Sequence, residues 1–172
     1  MELSGRLVLV RSFGEKDVTD EYIGWLNDPE VLRFSNQRFR SHDRESCLAY
    51  LKSFPGTPNR FLSVTDTASR RAIGTMTVYE APMHGTADVG IMIGDRSVWS
   101  RGYGQDAWDT VLRWLSARSD IRKVTAGTVA PNLGMRRLME RSGMTLEARR
   151  AAQEMVEGRA EDVLYYGLFP AR

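Results

Sequence analysis

The chain has 172 residues, 42% of them hydrophobic and 27% charged, with 24 basic and 22 acidic side chains for a formal net charge of +2. A chain of this size can bury a core as one domain, so residues 1–172 are expected to form a single one. It is too close to neutral to argue for nucleic-acid binding, and it has no run near the roughly 18–20 apolar residues that cross a bilayer.

RLVLVRS, residues 6–12, reads as a first strand; its apolar run carries no cleavage pattern. The next segment, DVTDEYIGWLND, puts Val18, Tyr22, Trp25 and Leu26 on one helical face, and Asp28-Pro29 closes that helix. Ser41 can cap a second helix with Leu48, Leu51 and Phe54 on its buried stripe, ended by Pro55, Gly56 and Pro58. Cys47 falls in this apolar pattern and reads as a packed core residue. A lone cysteine and no leader pattern lead to the expectation of a cytoplasmic protein. Three strands follow, Phe61–Thr65, Ala72–Tyr79 and Asp88–Ile93, with turn sequence around Thr67–Arg70 and Pro82–Thr86. Helix Gln105–Arg118 repeats Trp108, Val111, Leu112 and Leu115 at helical spacing. Ile121–Val129 is a strand, and Asn132–Ser142 is a helix with Met135, Leu138 and Met139 inward and Gly143 at its end. Leu146–Met155 and Asp162–Phe169 close the chain around a turn near Glu157-Gly158. The order β-α-α-β-β-β-α-β-α-β-β implies an α+β fold, a mixed and mainly antiparallel sheet flanked by helices. His42 and His84 have no partners at ligand spacing, so no metal site is expected.

The segment IMIGDRSVWSRGYGQDAW, residues 91–108, ends a strand and opens a helix through Arg101-Gly102-Tyr103-Gly104. Glycines let backbone approach a ligand closely, successive N–H groups can face one concavity, and a helix start adds unpaired N–H groups with a positive dipole end. A pyrophosphate suits such a loop; glycines that only serve a turn are the plainer alternative. A P-loop lacks its Gly-Lys-Ser/Thr ending here, and the dinucleotide fingerprint is incomplete. Basic residues cluster at Arg136, Arg137 and Arg141 and again at Arg149 and Arg150, either as a solvated face or as an attraction for an anion.

This segment resembles the acetyl-CoA motif of the GNAT superfamily, Q/R-x-x-G-x-G/A, with Trp99 at its first position and Gly102 and Gly104 at its glycines. Trp25-Leu26-Asn27-Asp28-Pro29-Glu30-Val31 is similar to the W-x-N-D-P-E-V segment of the ribosomal-protein N-terminal acetyltransferases. Ala130-Pro131-Asn132 with Met139-Glu140-Arg141-Ser142-Gly143-Met144 resembles their N…EK-x-GF helix, and Glu147, Arg149, Gly158 and Asp162 their closing hairpin. The resemblance implies an acetyl-CoA-dependent N-acetyltransferase. Backbone N–H groups of Ser100, Arg101, Gly102, Tyr103, Gly104 and Gln105 would meet the pyrophosphate. Met92 and Ile93 would pair with the pantetheine amides, and Asn132 would reach the same arm or cap its helix. Arg101 and Arg137 would meet the ribose phosphate or remain surface residues. The resemblance also implies pairing of two chains into a homodimer.

Amide formation needs a neutral amine held beside the thioester carbonyl, a proton acceptor and a donor to the developing oxyanion, expected at a strand N–H near Met92. Asp88 is the first candidate base, on the same strand side as Gly90 and Met92; Glu80 and His84 are alternatives. The tyrosine that often protonates the departing sulfur in the superfamily is replaced by Met139, leaving water, Tyr165 or Tyr166. Trp25, Phe34, Asn36 and Arg38 are candidates for the acceptor side. The acceptor is expected to be a protein N-terminus first and a nucleotide-linked amino sugar or other small amine second. A non-catalytic acyl-CoA-binding module is the alternative class.

Overall fold

The structure, a computed structural model, describes residues 1–171. Strand β1 (Glu2–Ser4) pairs with β2 (Val8–Ser12) in a short hairpin that the apolar pattern did not show, because only Leu3 of β1 is even half-buried. Helix α1 (Asp20–Trp25) starts at Thr19, whose hydroxyl accepts the Tyr22 N–H at 3.1 Å; Val18 and Leu26 are buried but flank the helix. Helix α2 (Arg44–Lys52) is capped by Asp43 rather than Ser41. Its carboxylate accepts the Ser46 N–H at 2.8 Å, and the Ser46 hydroxyl completes a reciprocal box. Phe54 lies just past this helix yet is buried, and Cys47 is core.

Strands β3 (Arg60–Asp66), β4 (Ala72–Ala81) and β5 (Thr86–Ile93) form an antiparallel meander. Helix α3 (Tyr103–Ser116), strand β6 (Lys123–Val129), helix α4 (Leu133–Arg141) and the hairpin β7 (Thr145–Val156) and β8 (Arg159–Leu168) complete the chain. The eight strands run in the order β1-β2-β3-β4-β5-β6-β8-β7, and β5–β6 is the one parallel pair among the described strands. The α+β architecture expected from the element order is present.

Helices α3 and α4 cover one sheet face. Trp108, Val111, Leu115 and Met139 pack there on Val64, Met76, Val89 and Val124. Helices α1 and α2 cover the other, where Tyr22, Trp25, Cys47 and Phe54 meet Phe61. Gly94, at the end of β5, has to be glycine, because a Cβ there would collide with the Trp25 ring. The tryptophan of the WLNDPEV segment is therefore a core residue seated on the strand end.

Two pairings diverge in mid-sheet. β5 meets β6 only over Thr86–Asp88 and Lys123–Thr125. Beyond that, β5 stays with β4 up to Ile93, while β6 stays with β8 up to Val129. A wedge opens between them, with Asp88 and Thr125 at its closed end.

The start of α3 is fixed beside this wedge by Asp106. Its carboxylate accepts the N–H groups of Arg6, Leu7 and Val8 at 3.1, 2.6 and 3.1 Å. Bonds to a charged acceptor contribute about 1.5–3 kcal/mol each, and donors left unpaired add a desolvation cost. Asp106→Ala is expected to destabilise the fold by about 2–4 kcal/mol, read as a lower denaturation midpoint with unchanged slope. A wild-type midpoint would show that water replaces the carboxylate without loss.

Candidate active site

The wedge opens into a cleft of about 880 Å³ that passes through the sheet. On the α3/α4 side it is lined by Ser100, Gly104, Asn132, Met135 and Leu138; on the α1/α2 side by Tyr22, Leu26, Phe34, His42, Tyr50 and Phe61. Val89 to Ile93 and Gly127-Thr128 form its waist.

Strand alternation decides which backbone groups face this waist. The Gly94 N–H bonds back to Ile73 in the β4 direction, and the Gly85 carbonyl accepts from Arg122 and Lys123 in the β6 direction. Every second residue from Gly85 therefore faces β6; the last rung of the parallel ladder, Asp88 with Thr125, takes the Val89 N–H, and the Val89 C=O with the N–H and C=O of Ile91 and Ile93 face the wedge. Met92 lines the cleft with its side chain, but its backbone groups turn to Thr75. The expected donor near Met92 thus moves to its neighbours. The Trp99 indole N–H donates to the Ile93 carbonyl at 2.8 Å, which ties the glycine loop to the strand end. That is the structural reason for tryptophan at the first position of the loop motif.

In the loop itself, Ser100 and Gly102 have positive φ, 60° and 88°. Gly102 is the left-handed cap of α3. Among the described residues, the N–H groups of Gly102, Tyr103, Gly104 and Gln105 have no hydrogen-bond acceptor outside the helix. They are the orphan donors of a helix start, gathered at one end of the cleft. Gly104 is helical, and a Cβ there would make only ordinary contacts, 3.5 Å from Ile93 and 3.8 Å from Leu138. The backbone does not require glycine at this position, so the missing side chain keeps cleft volume open.

The other loop and helix candidates separate. Asn132 lines the cleft and caps α4 at once; its Oδ1 accepts the Met135 N–H at 3.2 Å, and its Nδ2 donates to the Thr128 hydroxyl at 3.1 Å. The Gln105 side chain instead braces α3 against α4, donating to Ser142 Oγ at 2.8 Å and Asp109 Oδ1 at 3.1 Å. Arg101 faces a second hollow with Asp66, Asp95 and Tyr103, and Arg137 is exposed on α4; neither lines the cleft. Arg149 pairs with Asp162, and Arg150 lies over the Tyr165 ring at 5.2 Å, so that basic pair is occupied locally.

The proton-handling candidates also sort. Asp88 stands at the closed end of the wedge and accepts the Thr125 hydroxyl at 2.7 Å, outside the residues that line the cleft. Dehydration by the protein around its carboxyl end pushes its pKa above the ordinary carboxylate value, against the lowering pull of Thr125. The raised pKa makes its carboxylate a stronger base than an ordinary one. Glu80 is committed to Arg118 through two bonds of 2.8 Å, and His84 is exposed in the β4–β5 turn. Met139 is fully buried away from the cleft. The Tyr166 hydroxyl donates to Glu140 at 2.9 Å, and Tyr165 lies against Gly127. The cleft does hold a hydroxyl that the sequence reading passed over, that of Tyr50, 2.7 Å from the Tyr79 hydroxyl. Tyr50 falls off the Leu48–Leu51 stripe, which hid it.

The acceptor-side rim is the segment from Glu30 to His42. It is latched to the β7–β8 hairpin by Arg33, which donates to Glu157 at 2.7 and 3.1 Å, by Asn36 to Glu154 at 3.3 Å, and by Arg38 to the Met155 carbonyl. Of the four acceptor-side candidates, Phe34 lines the cleft, Asn36 and Arg38 hold the rim, and Trp25 is core.

The family profile "Acetyltransferase (GNAT) domain" matches residues 6–145. No curated protein sequence matches the chain significantly. Among solved structures, a GNAT-family acetyltransferase from Bacillus anthracis superposes with TM-score 0.83 at 18% identity, covering 99% of each chain. The ribosomal L7/L12 α-N-protein acetyltransferase RimL in complex with coenzyme A gives 0.84 at 16%, covering 98% of each. A spermidine N-acetyltransferase from Vibrio cholerae, in complex with coenzyme A and spermine, gives 0.83 at 17%, covering 95% of this chain and 96% of that one. These identities establish a shared fold.

The open volume beside Gly104 leads to a direct test. Gly104→Val is expected to leave a folded protein, since its Cβ meets no clash, and to abolish binding of acetyl-CoA in calorimetry. Wild-type affinity in this variant would remove the loop from the site.

Proposed function

Because the chain belongs to the acetyltransferase (GNAT) domain family and is an acetyl-CoA-dependent N-acyltransferase, we propose that residues 1–172 act as one domain that acetylates a primary amine, with a protein N-terminal α-amine as first choice. The observation that carries this reading is the wedge between β5 and β6. It joins a cradle of orphan N–H groups at Gly102–Gln105 to a separate chamber on the opposite sheet face. Two substrates can then meet at the waist from opposite sides, which supplies most of the acceleration that direct transfer needs.

The residues present fit the acyl donor. The cradle and the α3 start suit a pyrophosphate, and the Val89 C=O with the N–H and C=O groups of Ile91 and Ile93 form an edge that can pair with amides like an added strand. Asn132 has a donor proton left after capping its helix and bonding Thr128. Acetyl-CoA, when bound, supplies an activated acyl thioester. The cleft-facing N–H at Ile91 then stabilises the oxyanion, and Asp88 accepts the amine proton through water. Arg101 and Arg137 stand outside the cleft and are left for a ribose phosphate that extends beyond it.

The chamber favours an acceptor of low positive charge. Its charged lining residues among those described are Glu30, Arg33 and Arg40. One carboxylate against two guanidiniums is a poor match for a polyamine and suits an α-amine. A nucleotide-linked amino sugar is the second candidate on the same ground.

The deciding experiment follows thiol release from acetyl-CoA over a panel of amines. Peptides with free N-termini are expected to turn over better than spermidine; turnover of spermidine alone would overturn the acceptor reading. Asp88→Asn should keep acetyl-CoA affinity and lower kcat by roughly 100-fold at neutral pH. The sign follows from the raised pKa. The wild-type rate should rise with pH through a limb above the ordinary carboxylate range. The variant should lack that limb and recover toward alkaline pH, where the amine is already neutral. A variant with wild-type kcat at neutral pH would make Asp88 structural.

A further inference from the structure

Collapse of the addition intermediate breaks a C–S bond, and the departing sulfur must gain a proton for the thiol to leave. The position on α4 that the sequence points to for this task holds Met139, which is buried and has no proton to give. Tyr166 and Tyr165, the remaining candidates from the sequence, are engaged elsewhere.

The whole lining of the cleft offers two phenols, Tyr22 and Tyr50. Tyr22 is only 4% exposed, and its ring is packed in the aromatic cluster with Phe13 and Phe61. Tyr50 differs in three respects. It lines the cleft where its ring stands edge-on to Phe61, 5.2 Å between centroids. Phe61 is cross-strand to Thr77, and Thr77 to Gly90, so Tyr50 overlooks the strand row that ends at the waist. Its hydroxyl lies 2.7 Å from that of Tyr79, and the two residues are 38% and 43% exposed, so the second phenol reaches water.

We propose that Tyr50 is a catalytic residue of this transferase, the proton donor to the departing CoA sulfur, and that Tyr79 is the positioning residue that returns the proton from solvent. The assignment rests on the acetyl-transfer reading above. In the step, the C–S electrons go to sulfur as the amide carbonyl re-forms. Sulfur takes the Tyr50 proton, Tyr50 takes that of Tyr79, and Tyr79 takes one from water. The proton that the amine loses leaves separately through Asp88, so the balance is amine plus thioester to amide plus thiol. Crowding round the hydroxyl, followed by its bond with Tyr79, raises the Tyr50 pKa, so Tyr50 is protonated before the step and has to be refilled by Tyr79 as its own proton leaves.

The test uses the full chain and the best amine from the panel. Tyr50→Phe keeps the ring packing on Phe54 and Phe61, so its thermal midpoint should stay within a few degrees. Its kcat should fall roughly 100-fold with KM for both substrates unchanged, and the solvent deuterium isotope effect on kcat should change. Tyr79→Phe should lower kcat by a smaller factor and leave Tyr50 in place. A wild-type kcat in Tyr50→Phe, or a loss confined to KM, would overturn the proposal while the transferase reading stands. Should Tyr50→Phe lose its fold, a wild-type kcat and isotope effect in Tyr79→Phe would overturn it instead. Failure of the wild-type chain to release thiol with any amine would overturn the transferase reading itself.

Discussion

Strands β5 and β6 run parallel but answer to different neighbours. Hydrogen bonding holds β5 to β4 along its whole length, and β6 to β8 along its own, while the two share only the short stretch from Thr86 to Asp88. Sheet twist rotates adjacent strands by roughly 20–25°. With no ladder to hold them together past Asp88 and Thr125, they separate. Nearly everything else about the site follows from that separation. It leaves the Val89 carbonyl and the edge groups of Ile91 and Ile93 unpaired by the sheet, which is costly unless water or a ligand bonds them. It also gives a route between the two helical layers that a continuous sheet would close.

The surroundings hold this opening in shape. Trp99 bonds the Ile93 carbonyl and fixes where the loop leaves the strand. Asp106 anchors the first turn of α3 to the β1–β2 turn, so the helix start cannot drift from the wedge. Gln105 and Ser142 pin α3 to α4, and Ser142 donates to Asp109 at 2.5 Å. Trp25 lies against Gly94 from the opposite layer. On the far rim, Arg33 and Glu157 are both well exposed; such a surface pair contributes little to stability. Its service is to set the position of the Glu30–His42 segment against the hairpin.

Much of this was legible in the sequence because burial imposes period. The α3 stripe of Trp108, Val111, Leu112 and Leu115 is buried as its spacing requires, and Asn132 caps α4 as its place after Pro131 suggested. The glycine loop was recognisable because left-handed φ at Gly102 and lost volume at Gly104 both demand that residue type. What escaped detection depends on tertiary contact. Asp43 competes with Ser41 for the same cap, and only chain direction settles it. Met92 and its neighbours are equally apolar, so which backbone groups face the wedge needs the register. Tyr50 breaks the apolar stripe of α2, and nothing local says that its off-stripe direction is a cleft. Gln105 and Arg101 sit in the motif yet turn their side chains elsewhere, because a motif specifies backbone shape and leaves side-chain partners to the surrounding fold.

The central claim is that the wedge edge and the α3 start together receive the acyl donor. Residue-resolved hydrogen exchange, with and without acetyl-CoA, tests it most directly. The account predicts that the amides of Ile91 and Ile93, and those of Gly102 to Gln105, become protected on binding, while Val89, already bonded to β6, and Gly90 and Met92, already bonded to β4, change little. Protection confined to residues outside these two groups, or equal change across the four positions from Gly90 to Ile93, would contradict it.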